Sequence, residues 1–257
     1  MVINFNKVRD NDYFAKGFTL KKPLTLHIFA LGEGRNGEMF DYGWIVDSKT
    51  HERVWEMDYY ETEHAGGARK NRSFDGTITL QAGSYVAYYV SDGSHSYRRW
   101  NSGRPYYENK WGMQISVLDD NFQEGDVAEY KEENDKSILV NINKVGDYDK
   151  ARARFKLEKD QKVHIYAIGE GNYNEMYDYA WIENRNTGRV VWEMTYRKTE
   201  RAGGAKKNRL FDGDIVLEAG EYEVFYQSDD SHSFGDWNDS PPKDPMHWGI
   251  TIKSVEE

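Results

Sequence analysis

The sequence predicts an all-β protein made of two tandem, duplicated antiparallel β-sandwiches, jelly-roll-like and of about eight strands each. Three observations carry that expectation. First, displacing the 257-residue sequence by 137 positions aligns Asn4 with Asn141 through Ile115 with Ile252 without a gap, and about half of the aligned positions are identical. A period this long marks a duplicated domain rather than a solenoid unit. Second, aromatic and β-branched residues alternate with period two, as in Val163, Ile165 and Ala167 or Tyr222, Val224 and Tyr226. Third, turn markers such as Asn186-Thr187-Gly188 and Asp212-Gly213 separate these runs, and no stretch of a dozen residues keeps helical spacing.

In the first copy the strands are expected near 1–8, 14–20, 24–31, 39–46, 53–59, 72–80, 84–91 and 111–117. The domains read as 1–120 and 136–257. Between them the acidic, apolar-poor stretch 121–135 (NFQEGDVAEYKEEND) reads as a linker with at most one helical turn. Hydrophobic content of 38% and charged content of 30% suit a globular chain, and aromatic content of 15% suits half-buried strands with rings to spare for recognition.

Composition also excludes partners. A formal net charge of -10 argues against nucleic acid and anionic membranes. The absence of cysteine removes disulfides, thiolate chemistry and cysteine-based zinc sites. No apolar run is long enough for membrane insertion, and Met1-Val2-Ile3-Asn4 opens in strand-like sequence rather than in a secretion leader.

If consecutive strands reverse direction, alternate connections emerge at the same end. The connections after strands two, four and six are short, whereas those after three, five and seven are long and recur with their charges. Gly32-Glu33-Gly34 recurs as Gly169-Glu170-Gly171. Thr62-Glu63, Ala65-Gly66-Gly67-Ala68 and Lys70-Asn71-Arg72 recur from Thr199 to Arg209. Ser91-Asp92, Ser94-His95-Ser96 and Trp100-Asn101 recur as Ser228-Asp229, Ser231-His232-Ser233 and Trp237-Asn238. The three loops should meet on one rim, which makes a candidate ligand-binding set of Glu33, Glu63, Lys70, Asp92, His95, Trp100 and Asn101. The second copy supplies Glu170, Glu200, Lys207, Asp229, His232, Trp237 and Asn238.

Each group has a plain structural role as well. The glycine pair suits a tight loop, Arg72 and Asp75 suit a structural ion network, and the Ser-Asp-x-Ser-His-Ser segment suits local turn bonding. Trp100 and Trp237, in polar loops, suit either a platform for a sugar or peptide or a plug for the sandwich end. The ligand expected is a carbohydrate or peptide polymer, or a small molecule. No cofactor is required, although Ca²⁺ is admissible: Asp92, Glu63, Glu33 and backbone carbonyls offer hard oxygen ligands, with Asp10, Asp12, Asp147 and Asp149 at the same end. An enzymatic alternative uses Asp229 or Glu200 with His232 as acid and base, and a third reading is a purely structural envelope component.

Each copy also resembles the bacterial pre-peptidase C-terminal type of β-sandwich. The similar segments are Phe155-Lys156-Leu157, Val163-His164-Ile165-Tyr166-Ala167 and the turn Leu217-Glu218-Ala219-Gly220-Glu221-Tyr222, which recurs as Leu80-Gln81-Ala82-Gly83-Ser84-Tyr85. That resemblance implies an extracytoplasmic, non-catalytic accessory module. It transfers no site residues, and the long loop from Ser228 to Trp248 departs from the pattern.

Overall fold

A computed structural model describes residues 1–119, 121–130 and 136–255. The chain divides into two compact units, Met1–Glu132 and Glu133–Glu257. In the first, the main strands are β1 (Ile3–Asn6), β2 (Tyr13–Leu20), β3 (Leu24–Arg35), β4 (Tyr42–Asp47), β5 (Arg53–Glu56), β6 (Asn71–Leu80), β7 (Gly83–Val90) and β8 (Gly112–Val117). One sheet runs β1-β8-β3-β6 and the other β2-β7-β4-β5, with every pairing antiparallel. This is the jelly-roll order.

The second unit repeats it with β9 (Ile138–Asn143), β10 (Lys150–Leu157), β11 (Gln161–Asn172), β12 (Tyr179–Asn184), β13 (Arg189–Glu193), β14 (Asn208–Leu217), β15 (Gly220–Gln227) and β16 (Gly249–Ser254). Its sheets run β9-β16-β11-β14 and β10-β15-β12-β13.

The core follows from the alternation. In β3, Leu24, Leu26, Ile28 and Ala30 are fully enclosed while Thr25, His27 and Phe29 face outward. They meet Phe18, Leu20, Ile45, Tyr85, Ala87 and Tyr89 of the opposite sheet. The outward histidines are satisfied on the sheet surface, His27 by Asp75 at 2.6 Å and His164 by Asp214 at 2.9 Å. A polar tie crosses each core: Tyr89 Oη donates to the Leu31 carbonyl at 2.5 Å, and Tyr226 Oη to that of Ile168 at 2.8 Å.

Three local readings change. The strand expected at 39–46 is broken into Glu38–Met39 and β4, with Asp41 in the corner. The strand expected at 53–59 stops at Glu56 and gives way to a 3₁₀ turn, Tyr59–Glu61. Part of the expected linker is sheet: Val127–Glu129 adds an edge strand to β2 of the first unit, held by Lys22 Nζ on Asp126 at 2.8 Å. Residues 131–135 of that stretch lie outside the described residues.

Because Tyr226 and the Ile168 carbonyl are enclosed together, Tyr226→Phe leaves a carbonyl without its donor. The expected cost is about 1 to 2 kcal/mol, read as a calorimetric transition of the second unit several degrees lower.

Candidate functional site

The reversal of strand direction brings the three long loops of each unit together at one end. The tie is an asparagine at the start of the sixth strand. Asn208 Nδ2 donates to the carbonyls of Gly203 and Ser240, at 2.8 and 3.0 Å, and its Oδ1 lies 2.6 Å from His232 Nε2. Asn71 does the same with Gly66, Gly103 and His95 at 2.7, 2.9 and 2.6 Å. With both amide hydrogens given to carbonyls, Oδ1 must accept, so the proton of the histidine sits on Nε2.

The other ring nitrogen meets Asn238 at 3.1 Å, or Asn101 at 2.9 Å. Both histidines adopt left-handed backbone, φ 56° for His95 and 59° for His232, a conformation that an L residue holds only when its neighbours over-determine it.

The repeated glycines follow from this crossing of loops. Gly67 (φ 66°) and Gly204 (φ 61°) lie directly under the carbonyls of Arg104 and Pro241, where a Cβ would overlap. Ala-Gly-Gly-Ala is thus a packing element.

These histidines are 0% exposed, so neither reaches a ligand, which corrects the expectation for His95 and His232. Of the two roles open to Trp100 and Trp237, their packing is that of the plug. Trp237 stands edge-on to His232 at 5.2 Å and to Trp248 at 5.1 Å, and Trp100 packs identically on His95 and Trp111. The indoles close the sandwich end and are half-buried. Burial, reinforced by the nearby Lys207 charge, pushes the His232 imidazole down to about 4, so the ring is neutral at ordinary pH.

Next to this pin lies a cluster of carboxylates. Glu33, at the end of β3, meets Asp41 and Asp92, with one ligand oxygen from each within 4.8 Å of the others; Glu170, Asp178 and Asp229 form the same group. Asp41 and Asp178 were not singled out from sequence. Their signal was an acidic residue repeated inside an aromatic strand, Phe40-Asp41-Tyr42 and Tyr177-Asp178-Tyr179. The Gly32 and Gly169 backbones make room, since a Cβ there would overlap the Asp41 or Asp178 carbonyl.

Each buried Asp is doubly held. Asp41 accepts from the Asp92 amide at 2.9 Å and Trp111 Nε1 at 3.0 Å; Asp178 accepts from the Asp229 amide at 2.9 Å and Trp248 Nε1 at 3.1 Å. Lys70 Nζ reaches Glu33 Oε1 at 2.8 Å and Lys207 reaches Glu170 at 3.0 Å. The second oxygen, Oε2, of Glu33 and of Glu170 is enclosed without any hydrogen-bond partner.

Burial first, then the charges of Asp229 and Glu170, raises the Asp178 carboxyl to about 8 against the lowering effect of its amide and indole donors. Asp41 is raised well above the usual carboxylate range for the same reasons, and Glu33 and Glu170 are raised by burial against their lysines.

The remaining expected residues separate. Lys70, Lys207, Glu33, Glu170, Asp92 and Asp229 belong to the cluster. Glu63 and Glu200 sit exposed on the two-residue strands Glu63–His64 and Glu200–Arg201 and take no part in it. Asn101 and Asn238 are exposed and serve the histidines. Asp10 accepts from Ser96 Oγ at 2.5 Å, and Asp12 and Asp149 cap nearby backbone amides. Arg72 does not pair with Asp75; it grips the Thr62 carbonyl and hydroxyl and lies over the Tyr59 ring. The acid–base pairing expected of Asp229 or Glu200 with His232 is not made, because both imidazole nitrogens face asparagines and the Asp229 carboxylate accepts from the Ser231 amide.

Fold and site together define a duplicated jelly-roll protein with a carboxylate cluster on the loop rim of each unit. No family model and no curated protein matches the chain. Among solved structures it is similar to the CUB1-EGF-CUB2 domain of human MASP-1/3, over 97% of this chain and 96% of that one, at 10% identity and a TM-score of 0.29. Vicilin from hazelnut (Corylus avellana) aligns over 94% of this chain and 73% of its own at 9% identity and a TM-score of 0.15. Pumpkin seed globulin aligns over 95% and 77% at 8% identity and 0.15. Similarity at this level carries no functional argument.

A depressed imidazole contributes stability that is complete above its unfolded pKa near 6.5 and is lost as pH falls towards the folded value of about 4. The advantage of the wild type over His232→Gln should therefore shrink by on the order of 2 to 3 kcal/mol between pH 7 and pH 4. Urea titrations of both proteins at each pH check this.

Proposed function

We propose that the chain is a non-catalytic binding protein whose two loop ends each hold a Ca²⁺ ion, with ligand recognised at that rim. The observation that carries the reading is the charge of the cluster together with its orphaned oxygen. Three carboxylates close together bring three negative charges, and Lys70 or Lys207 cancels one. With all three carboxylates ionised, two negative charges remain, next to a glutamate oxygen enclosed with nothing to accept from. A hard divalent cation answers both deficits, and Ca²⁺ takes six to eight oxygens where three carboxylates supply three to six. Asp92 and Asp229 are partly exposed, so the remaining coordination positions face outward, where water or a ligand oxygen completes the shell.

Other features fit this reading. Two equivalent rims suit a repetitive ligand, carbohydrate or peptide, through avidity. A sensor-free site of this kind suits the millimolar calcium outside cells, in line with an extracytoplasmic accessory role. Among the described residues no helix is long and apolar enough to cross a membrane. The hydrolase reading loses its acid–base pair, because the imidazole is sealed in the pin.

Ca²⁺ should raise the melting temperature. At about a hundred times the dissociation constant the gain is about 2.7 kcal/mol for each site. Asp41→Asn should remove the response of the first unit and Asp178→Asn that of the second. Because Asp178 carries a proton up to about pH 8, binding at pH 7 must expel it, so affinity in the second unit should rise between pH 6 and pH 8. Calorimetry in two buffers of different ionisation enthalpy reads the released proton. No response to millimolar Ca²⁺ in the wild type would refute the reading.

A further inference from the structure

The first unit has a cleft beside its carboxylate cluster whose lining residues the second copy changes at several positions. A cleft of about 800 Å³ opens between Gly34, Arg35 and Asn36 on one side and His64, Ala68, Arg69, Lys70 and Arg72 on the other, with Tyr59 and Ser102 completing it. This volume is of the size that takes a small organic ligand. Its ten lining residues include four permanent cations and no carboxylate, on a chain whose net charge is -10.

The cations are not equivalent. Lys70 is spent on Glu33, and Arg72 on the Thr62 carbonyl and the Tyr59 ring. Arg35 and Arg69 are exposed, and among the described residues neither side chain has an ion-pair or hydrogen-bond partner. Two unengaged guanidinium forks lining one concavity are the arrangement that captures an oxyanion by two-pronged hydrogen bonding.

The rim adds a second kind of contact. Tyr60 and Tyr106 are each 81% exposed although both are large rings. Tyr60 lies over Gly37, next to the cleft residue Asn36, and Tyr106 lies over Gly66 in the loop that carries His64 and Ala68. Exposed rings beside Ser and Asn hydrogen-bonding groups suit a polyhydroxylated ring with one apolar face.

The gapless repeat supplies an internal control. At the matching positions the second unit has Asn172 for Arg35, Lys206 for Arg69, Asp239 for Ser102, Arg197 for Tyr60 and Lys243 for Tyr106. Both forks are lost, a carboxylate is introduced and both rings are gone; Arg201 replaces His64 and the exposed Tyr173 replaces Asn36, but Arg201 and Arg197 are engaged by the Gly204 carbonyl and Asn174 Oδ1. Lys207 is moreover held by Asn238 at 2.6 Å as well as by Glu170.

We infer that the cleft of the first unit binds a carboxylated sugar residue, with its carboxylate taken by Arg35 and Arg69 and its ring against Tyr60 or Tyr106. This rests on the loop end being a binding surface, but it does not require the cation. The test is calorimetric titration of the full chain with galacturonate disaccharide, galactose and inorganic phosphate, each with Ca²⁺ and with EDTA.

The disaccharide should bind. Arg35→Ala and Arg69→Ala should each weaken it about tenfold or more, as loss of a charge-assisted bond implies, and Tyr106→Ala should weaken it less. Asn172→Ala and Lys206→Ala, the second-unit counterparts, should leave it unchanged. Arg35 and Arg69 are exposed and unpartnered, so unchanged melting temperatures will show that the fold is intact.

Phosphate binding as tight as the disaccharide would reduce the cleft to an anion hole and overturn the assignment. So would galactose binding that is indifferent to Arg35→Ala, or no disaccharide binding with or without Ca²⁺. A Ca²⁺-induced rise in melting temperature without sugar binding would sink this inference alone. Sugar binding unaffected by EDTA, with no Ca²⁺ response, would sink the cation reading alone.

Discussion

The side chain of Asn208, with Asn71 as its counterpart, is the constraint on which the loop end of each unit depends. One amide group joins three segments that lie far apart in sequence: the loop of Gly203, the loop of Ser240 and the turn of His232. Each bond alone contributes modestly, about 0.5 to 1.5 kcal/mol, but one is buried and two are part-buried, so removing the amide would leave two carbonyls and a ring N–H without their partner at once. The consequences propagate inward. His232 holds its left-handed backbone with its Nε2–H given to Asn208, and it seats Trp237 against Trp248. Trp248 in turn donates to Asp178. The carboxylate cluster is the far end of a rigid chain of contacts that begins at one asparagine.

That rigidity is what makes the electrostatics consequential. Two unit charges 4.8 Å apart repel by roughly 3 kcal/mol at an effective dielectric near 20, and a floppy loop would simply relax such a pair apart. Here the strand ends, the close approach of Gly169 to the Asp178 carbonyl and the indole donor prevent relaxation. The cluster must be discharged in some other way. It takes up a proton: burial first, then the charges of Asp229 and Glu170, raises Asp178 to about 8. The lysine offsets one of the three charges and the proton on Asp178 a second.

Much of the architecture was legible in the sequence because the duplication repeats it and because period-two alternation survives in nearly every strand. The convergence of three loops followed from strand reversal alone. Individual roles were less legible. His95, Trp100, His232 and Trp237 read as surface candidates because a local sequence does not reveal which side of a loop faces the core, and the structure turns them inward. Asp41 and Asp178 were passed over for the opposite reason. Each stands in an aromatic run that signals a strand, and only the break at the corner, which no turn residue announces, aims the carboxylate at the end of β3 or β11. The edge strand Val127–Glu129 was hidden by its acidic flanks, since three residues are too few to show alternation.

The two copies differ in an informative pattern. Within the chain, the asparagine, histidine, paired tryptophans, lysine and three carboxylates are identical in both units, although nearly half of all aligned positions have drifted. The rim residues one step outward are among those that drifted: Arg35 against Asn172, Tyr60 against Arg197, Ser102 against Asp239 and Tyr106 against Lys243. The residues that pack the loop end are thus the same in both units, and the difference between the units is confined to the side chains that surround it.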